Sequence, residues 1–136
     1  MTRLIDMTDR RLLILANVAV IDHVRRANPF AHSDLGQKLL DLGKTLTGVA
    51  AYSPNFRAYA YVVLHDAADR IFAFAGGTHD LSFRLPANLA EEIVGAGIGQ
   101  PSAIGGDWID IFVFRPGGPN ADDALLERCA GSALEQ

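Results

Sequence analysis

The stretch Asp80-Leu81-Ser82-Phe83-Arg84-Leu85-Pro86 decides the fold class of this chain. Leu81, Phe83 and Leu85 alternate with Asp80, Ser82 and Arg84, the period of a strand whose successive side chains point to opposite sides of a sheet. With one side apolar and the other polar, the strand fits an antiparallel sheet, packed on one face and wet on the other. Pro86 stops the strand and suits the first turn of a helix.

Working outward, the strand signal repeats upstream. Gly76-Gly77-Thr78-His79 reads as a turn, Ile71 to Ala75 as a β-rich run, and His65 to Arg70 as a polar turn. Before it, Tyr59, Tyr61 and Val63 alternate with Ala60, Val62 and Leu64. Downstream, Leu89, Ile93 and Val94 give a helix its apolar side, Glu91 and Glu92 its wet side, and Gly95 and Gly97 its end. Ile98 to Gly106 reads as a loop. Trp108 to Phe114 is the last strand, with Ile109, Ile111 and Val113 on one face. Its other face carries Trp108, Phe112 and Phe114, interrupted by Asp110, so both faces are expected to be covered.

The first fifty residues read as helical. Thr8 or Asp9 caps a helix running to about Ala27, ended by Asn28-Pro29. Its apolar residues, Leu12, Leu13, Ile14, Leu15, Val18, Val20, Ile21 and Val24, lie nearly all round, so it is expected in the centre of the domain or against a partner subunit. A strand over Leu12 to Ile21 is the alternative, because a short apolar run is not classified by period alone. Ser33 starts a second helix, where Leu35, Leu39, Leu42, Leu46 and Val49 form one stripe. Ala51 to Asn55 reads as a loop. At the other end Asn120 caps a last helix that buries Leu125, Leu126 and Cys129 and closes at Gly131. The expectation is a single α+β domain over residues 1–136: an antiparallel meander of about four strands with helices packed on it, an N-terminal helical pair and a C-terminal helix.

Composition agrees with a folded domain. Of 136 residues, 49% are hydrophobic and 21% charged, too apolar for a disordered chain. The net charge of −4 argues against nucleic acid, whose phosphates reward a basic excess. Arg10, Arg11, Arg25 and Arg26 are the candidates for a local basic patch, and solvated helix residues are the simpler reading. Cys129 is the single cysteine, which excludes an internal disulfide and a cysteine-based metal site. Leu12 to Ile21 follows Arg10 and Arg11 as a signal peptide's apolar region would. Asp6 and Asp9 sit in the supposed basic segment, however, and the run is too short to span a bilayer, so a cytoplasmic protein without membrane attachment is expected.

Motifs that carry chemistry are weak. Gly95-Ala96-Gly97-Ile98-Gly99 follows a helix, whereas a dinucleotide fingerprint follows a strand and opens a helix. His23, His32, His65 and His79 have no metal-ligand spacing. His65 and His79 fall at opposite ends of one strand, roughly 15 Å apart by strand rise, too far for one ion. No metal or cofactor is expected. Asp107 and Asp110 fall on opposite strand faces and do not converge. Asp110 interrupts an aromatic face, where a half-buried carboxylate has a raised pKa unless hydrogen-bonded, and pairing with Arg84 is the simple account.

The run Arg70 to Ala87, a short helix, and then Gly105-Gly106-Asp107-Trp108-Ile109 resembles the small bacterial YjbR/MmcQ-like domains. It is also similar to the luciferase-like small domain, with its DLxF-P strand, helix and late tryptophan strand. The resemblance covers about residues 59 to 115. It implies an antiparallel sheet flanked by helices, carries no catalytic residue onto this chain, and on the YjbR-like side implies a loose association with DNA.

The leading expectation is a non-catalytic module acting through protein or small-ligand contact, as a homodimer. The alternative is a small enzyme or ligand binder with a site at His79, Asp80, Trp108 and Asp110, near the turn before the alternating strand. Weak nucleic-acid binding through the first helix is a further alternative.

Overall fold

The alternating strand lies inside a larger sheet than the meander expected. The computed structural model describes residues 10–27, 31–53 and 61–136. Its helices are α1 (Val18–Ala27), α2 (Ser33–Lys44), α3 (Ala87–Gly95) and α4 (Asp123–Glu135). Its strands are β1 (Ala50–Tyr52), β2 (Val62–His65), β3 (Ile71–Ala75), β4 (Asp80–Arg84), β5 (Gly99–Pro101) and β6 (Trp108–Phe112). They form one sheet in the order β1-β2-β3-β4-β6-β5, and each neighbouring pair is antiparallel.

The sheet has six strands where the sequence suggested about four. The added ones, β1 and β5, are three-residue edge strands in segments that read as loops. Ala-Ala-Tyr and Gly-Gln-Pro carry too little alternation to announce a strand, and pairing with a neighbour decides them. At Gly99 the pairing is close. An added Cβ would lie 2.7 Å from the Asp110 carbonyl oxygen and 2.8 Å from Ile93 Cγ2. The last glycine of the Gly95 to Gly99 run therefore serves sheet packing.

Each face of the sheet carries its own apolar cluster. On one face Leu35, Leu39 and Leu42 of α2, Leu89 and Ile93 of α3, and Leu126 and Cys129 of α4 pack on Val62, Leu64, Leu81, Phe83, Ile109 and Ile111. On the other, Leu12, Val20, Ile21 and Val24 pack on Tyr61, Val63, Ile71, Phe74 and Trp108. A bulge at Leu64/His65 pairs Leu64 with Ala73 and His65 with Ile71, which leaves Phe72 as the extra residue. Phe72 thereby joins the first cluster beside Ala73 while Ile71 and Phe74 serve the second.

The first helix is shorter than its apolar run. Arg10–Leu12 and Leu15–Asn17 are 3-10 turns, and α-helix begins only at Val18. Its expected caps, Thr8 and Asp9, lie outside the described residues, as do Tyr59 and Ala60. The break is fastened by Asn17, which is fully buried. Its Nδ2 donates to the carbonyls of Leu12 (2.8 Å) and Asp69 (2.9 Å), and its Oδ1 accepts from the Ile71 amide (2.8 Å). One side chain thus ties the N-terminal segment to the β2–β3 turn.

Two helix ends differ from expectation. Asp122, not Asn120, caps α4, accepting from the Leu125 amide at 2.8 Å. Asn120 instead bonds the Arg115 backbone at both its amide and its carbonyl. The α4 helix also runs through Gly131 to Glu135, because buried Ala130 and Ala133 continue its apolar face past the glycine. In α3, Val94 is exposed, and Leu89 and Ile93 are buried with Ala90 packed beside them.

Candidate functional site

The sheet register assembles the expected site residues. Across β4 and β6, Asp80 lies opposite Phe112, Ser82 opposite Asp110, and Arg84 opposite Trp108. All six residues share the face opposite the helical core, since Leu81, Phe83, Ile109 and Ile111 fill the other. Asp80 and Asp110 are therefore diagonal neighbours, with backbones roughly 7 Å apart.

The carboxylates differ in environment. Asp110 Oδ1 accepts a 2.6 Å hydrogen bond from the Ser82 hydroxyl. This corrects the expected pairing with Arg84, which instead has Nε 3.8 Å from Asp107 Oδ1. The register explains it: Arg84 faces Trp108 and reaches past the strand end, while Ser82 faces Asp110 directly. Burial, helped by the nearby Asp110 charge and opposed by His79, pushes the Asp80 carboxyl up to about 6. His23 of α1 stacks edge-on against Phe74, with ring centroids 5.8 Å apart. Burial holds its pKa below the ordinary histidine value, and the Asp110 charge works the other way. Arg84 Nε and Nη1 are buried without a hydrogen-bond partner.

His79 stands apart from this strip, and Trp108 lies on its face but is taken up by apolar packing. His79 is exposed at the turn before β4, its Nδ1 3.1 Å from Thr78 Oγ1, while its carbonyl accepts from the Val113 and Phe114 amides. Trp108 is buried in the second apolar cluster. His65 is also buried, at the opposite end of β3 from His79. Among the described residues no group of three or more His, Cys, Asp or Glu is arranged to hold a metal ion, and no helix is long and apolar enough to cross a membrane.

A second feature lies on the N-terminal segment. Leu13, Ile14, Leu15 and Val18 are exposed at 45%, 37%, 88% and 56%. With Ile21, Asp22 and Arg25 they line a concavity of about 510 Å³. Asp22 is bound to Arg26 at 2.8 Å, one turn along the helix. The sequence showed that this run is apolar all round but not which side stays bare; the break between two 3-10 turns buries Leu12 and Asn17 and leaves Leu13 to Leu15 exposed. Ser82 and Asn17 gave no advance signal, because a serine on the polar side of an alternating strand reads as solvated, whereas Ser82 is buried, and an asparagine near a helix start is ordinary.

Two further concavities, of about 400 and 360 Å³, lie between α2 and α4 and between α2 and β1. Neither these nor the patch concavity is lined by His79, Asp80, Trp108 or Asp110. Comparison with protein-family models, curated proteins and solved structures finds no match.

Proposed function

We propose that this chain is a non-catalytic module that acts through contact, and that its working surface is the apolar patch of Leu13, Ile14, Leu15 and Val18. The carrying observation is the exposure of four large apolar side chains together on one short segment. Such patches on a folded protein mark interaction surfaces. The partner in this reading is a second copy of the chain. Leu15 is the most exposed of the residues lining an apolar groove, and that lining also holds both signs of charge in Asp22 and Arg25. A twofold interface must be self-complementary, which an apolar groove and charges of both signs on one patch allow. A cytoplasmic setting belongs to the same proposal and is supported by the single, buried Cys129. So does the likeness to YjbR/MmcQ-like or luciferase-like domains, supported by the order of hairpin, helix and tryptophan strand.

Sedimentation velocity tests it. The wild-type chain dimerises, and Leu15→Asp dissociates it. Each buried leucine is worth about 1.5–3 kcal/mol and a twofold interface loses two, so Kd rises roughly 100- to 10,000-fold. A strictly monomeric wild-type chain at high concentration overturns the dimer, and a dimer indifferent to Leu15→Asp overturns the surface.

A second reading, a small-ligand site or small enzyme near His79, Asp80 and Asp110, is favoured by the juxtaposed carboxylates and by Arg84 Nη1, which is buried without a hydrogen-bond partner. It expects a fragment screen by NMR to perturb Ser82 and Asp110 saturably. Hits confined to other surfaces remove it.

A further inference from the structure

The helices α2 and α4 pack on the same face of the sheet and are tied by Lys38 Nζ and Asp123 Oδ1 at 2.8 Å. Beside that tie runs the concavity of about 400 Å³. From α2 it takes Asp34, Lys38, Asp41 and Thr45, whose spacing is one stripe along a helix. At the rise of a helix the stripe from Asp34 to Thr45 is roughly 16 Å long. Asp123 and Glu127, one turn apart on α4, form the other wall, and Phe114 belongs to the lining.

Phe114 is the feature that a merely solvated acidic surface lacks. Its side chain is 43% exposed inside this groove. Two residues earlier the Phe112 ring carries a cation of its own, the Arg115 guanidinium, at 3.9 Å from the ring centroid. Among the described residues no cation stacks on Phe114. The charge around it has one sign in excess: four carboxylates line the groove against one ammonium. That ammonium, Lys38, is already held by Asp123 and mostly covered. Asp41 is engaged by Gln37 at 2.9 Å and by Lys44 at 3.7 Å. The Asp34 carboxylate has only His32, at 3.9 Å, and Glu127 has no hydrogen bond or ion pair among the described residues.

We propose that the α2–α4 groove binds a basic, arginine-bearing segment of a partner protein, with one guanidinium stacked on Phe114 and the carboxylates of Glu127 and Asp34 receiving the positive charge. Arginine fits better than lysine, because its planar group stacks on a ring face while its N–H fork still pairs with a carboxylate. An apolar helix fits poorly, since the other large apolar side chain of the lining, Leu42, is nearly buried. The groove lies on the α2 face and the α1 patch on the opposite face, so this contact stands whether or not the chain dimerises.

The probe is the synthetic peptide acetyl-Arg-Ser-Arg-Ser-Arg-amide, whose extended length of about 16 Å matches the groove, read against its lysine counterpart. Titrated at low salt into the ¹⁵N-labelled chain, the arginine peptide is expected to shift the Asp41, Phe114 and Glu127 amides saturably. It should bind about threefold tighter than the lysine peptide. Phe114→Ala, at an exposed position, erases that preference, and Glu127→Gln weakens both peptides about twofold. Should Phe114→Ala not fold, Phe114→Leu, which keeps apolar bulk and loses the ring face, is read in its place. An arginine preference that survives loss of the ring, shifts confined to Glu91 and Glu92 of α3, or no saturable shift at millimolar peptide would each overturn the proposal. So would shifts at Phe114 that grow with chain concentration alone, which would make the occupant a second copy.

Discussion

Replacing Asn17 by leucine tests the most heavily bonded side chain of the second cluster. The two side chains are similar in size, so the change removes hydrogen bonds more than volume. Asn17 satisfies the Ile71 amide and the carbonyls of Leu12 and Asp69 at 2.8 to 2.9 Å. Each buried group left unpaired costs about 1–3 kcal/mol. Asp69 is partly exposed, so the share of its carbonyl is taken at the low end. The gain from burying leucine offsets part of the rest, and the net loss is about 3 kcal/mol. At this chain length that lowers Tm by roughly 10 °C. Differential scanning calorimetry measures the shift, and Trp108 fluorescence follows the same cluster. Asn88→Leu, at an exposed position of α3, controls for composition and should stay within about 0.5 kcal/mol. A loss below about 1 kcal/mol for Asn17→Leu would mean that this residue does not fasten the N-terminal segment.

Other outcomes follow from the same structure. Asp80 carries a folded-state pKa pushed up to about 6 by burial, well above the ordinary aspartate range. A raised value favours the protonated fold, so this contribution is complete below about pH 4 and lost as pH rises through about 6. Asp80→Asn should therefore stabilise the chain at pH 7.5 by about 1 kcal/mol, after discounting for solvent screening, and not at pH 3.5. Urea midpoints across that range check it, and a difference independent of pH refutes it. Gly99→Ala should cost about 2 kcal/mol, because its Cβ meets a backbone oxygen at 2.7 Å, while Gly95→Ala has open space and should be neutral or mildly stabilising. Thermal melts of the pair separate these outcomes. Burial pushes the Cys129 thiol up to about 12, so it should resist a disulfide reagent in the folded chain and react at once in denaturant; fast reaction without denaturant contradicts that.

Legibility in the sequence followed the strength of local patterns. Leu81, Phe83 and Leu85 gave β4, and the leucine stripe gave α2, because each has a regular period and one buried face. The edge strands were hidden because their residues acquire β structure only from a neighbour. The first helix was misjudged in length because its apolar run serves two ends: Leu12 and Val20 to Val24 enter the core while Leu13 to Val18 mostly stay outside, with Asn17 buried between. At the candidate site, the proximity of Asp80 and Asp110 was readable from strand order. The Ser82 bond was not, since it depends on a register set by the β4–β6 pairing over a connection that contains α3 and β5.

The strand β3 is buried along its whole length and gives side chains to both apolar clusters. It is a wall common to two rooms. Neither cluster can keep its packing once that wall is withdrawn, so the two cannot melt one after the other. Heat should take the described parts of the chain apart in a single cooperative step, with calorimetric and van't Hoff enthalpies equal. An Ala73→Asp change, which plants a charge in that wall, should abolish the transition rather than split it.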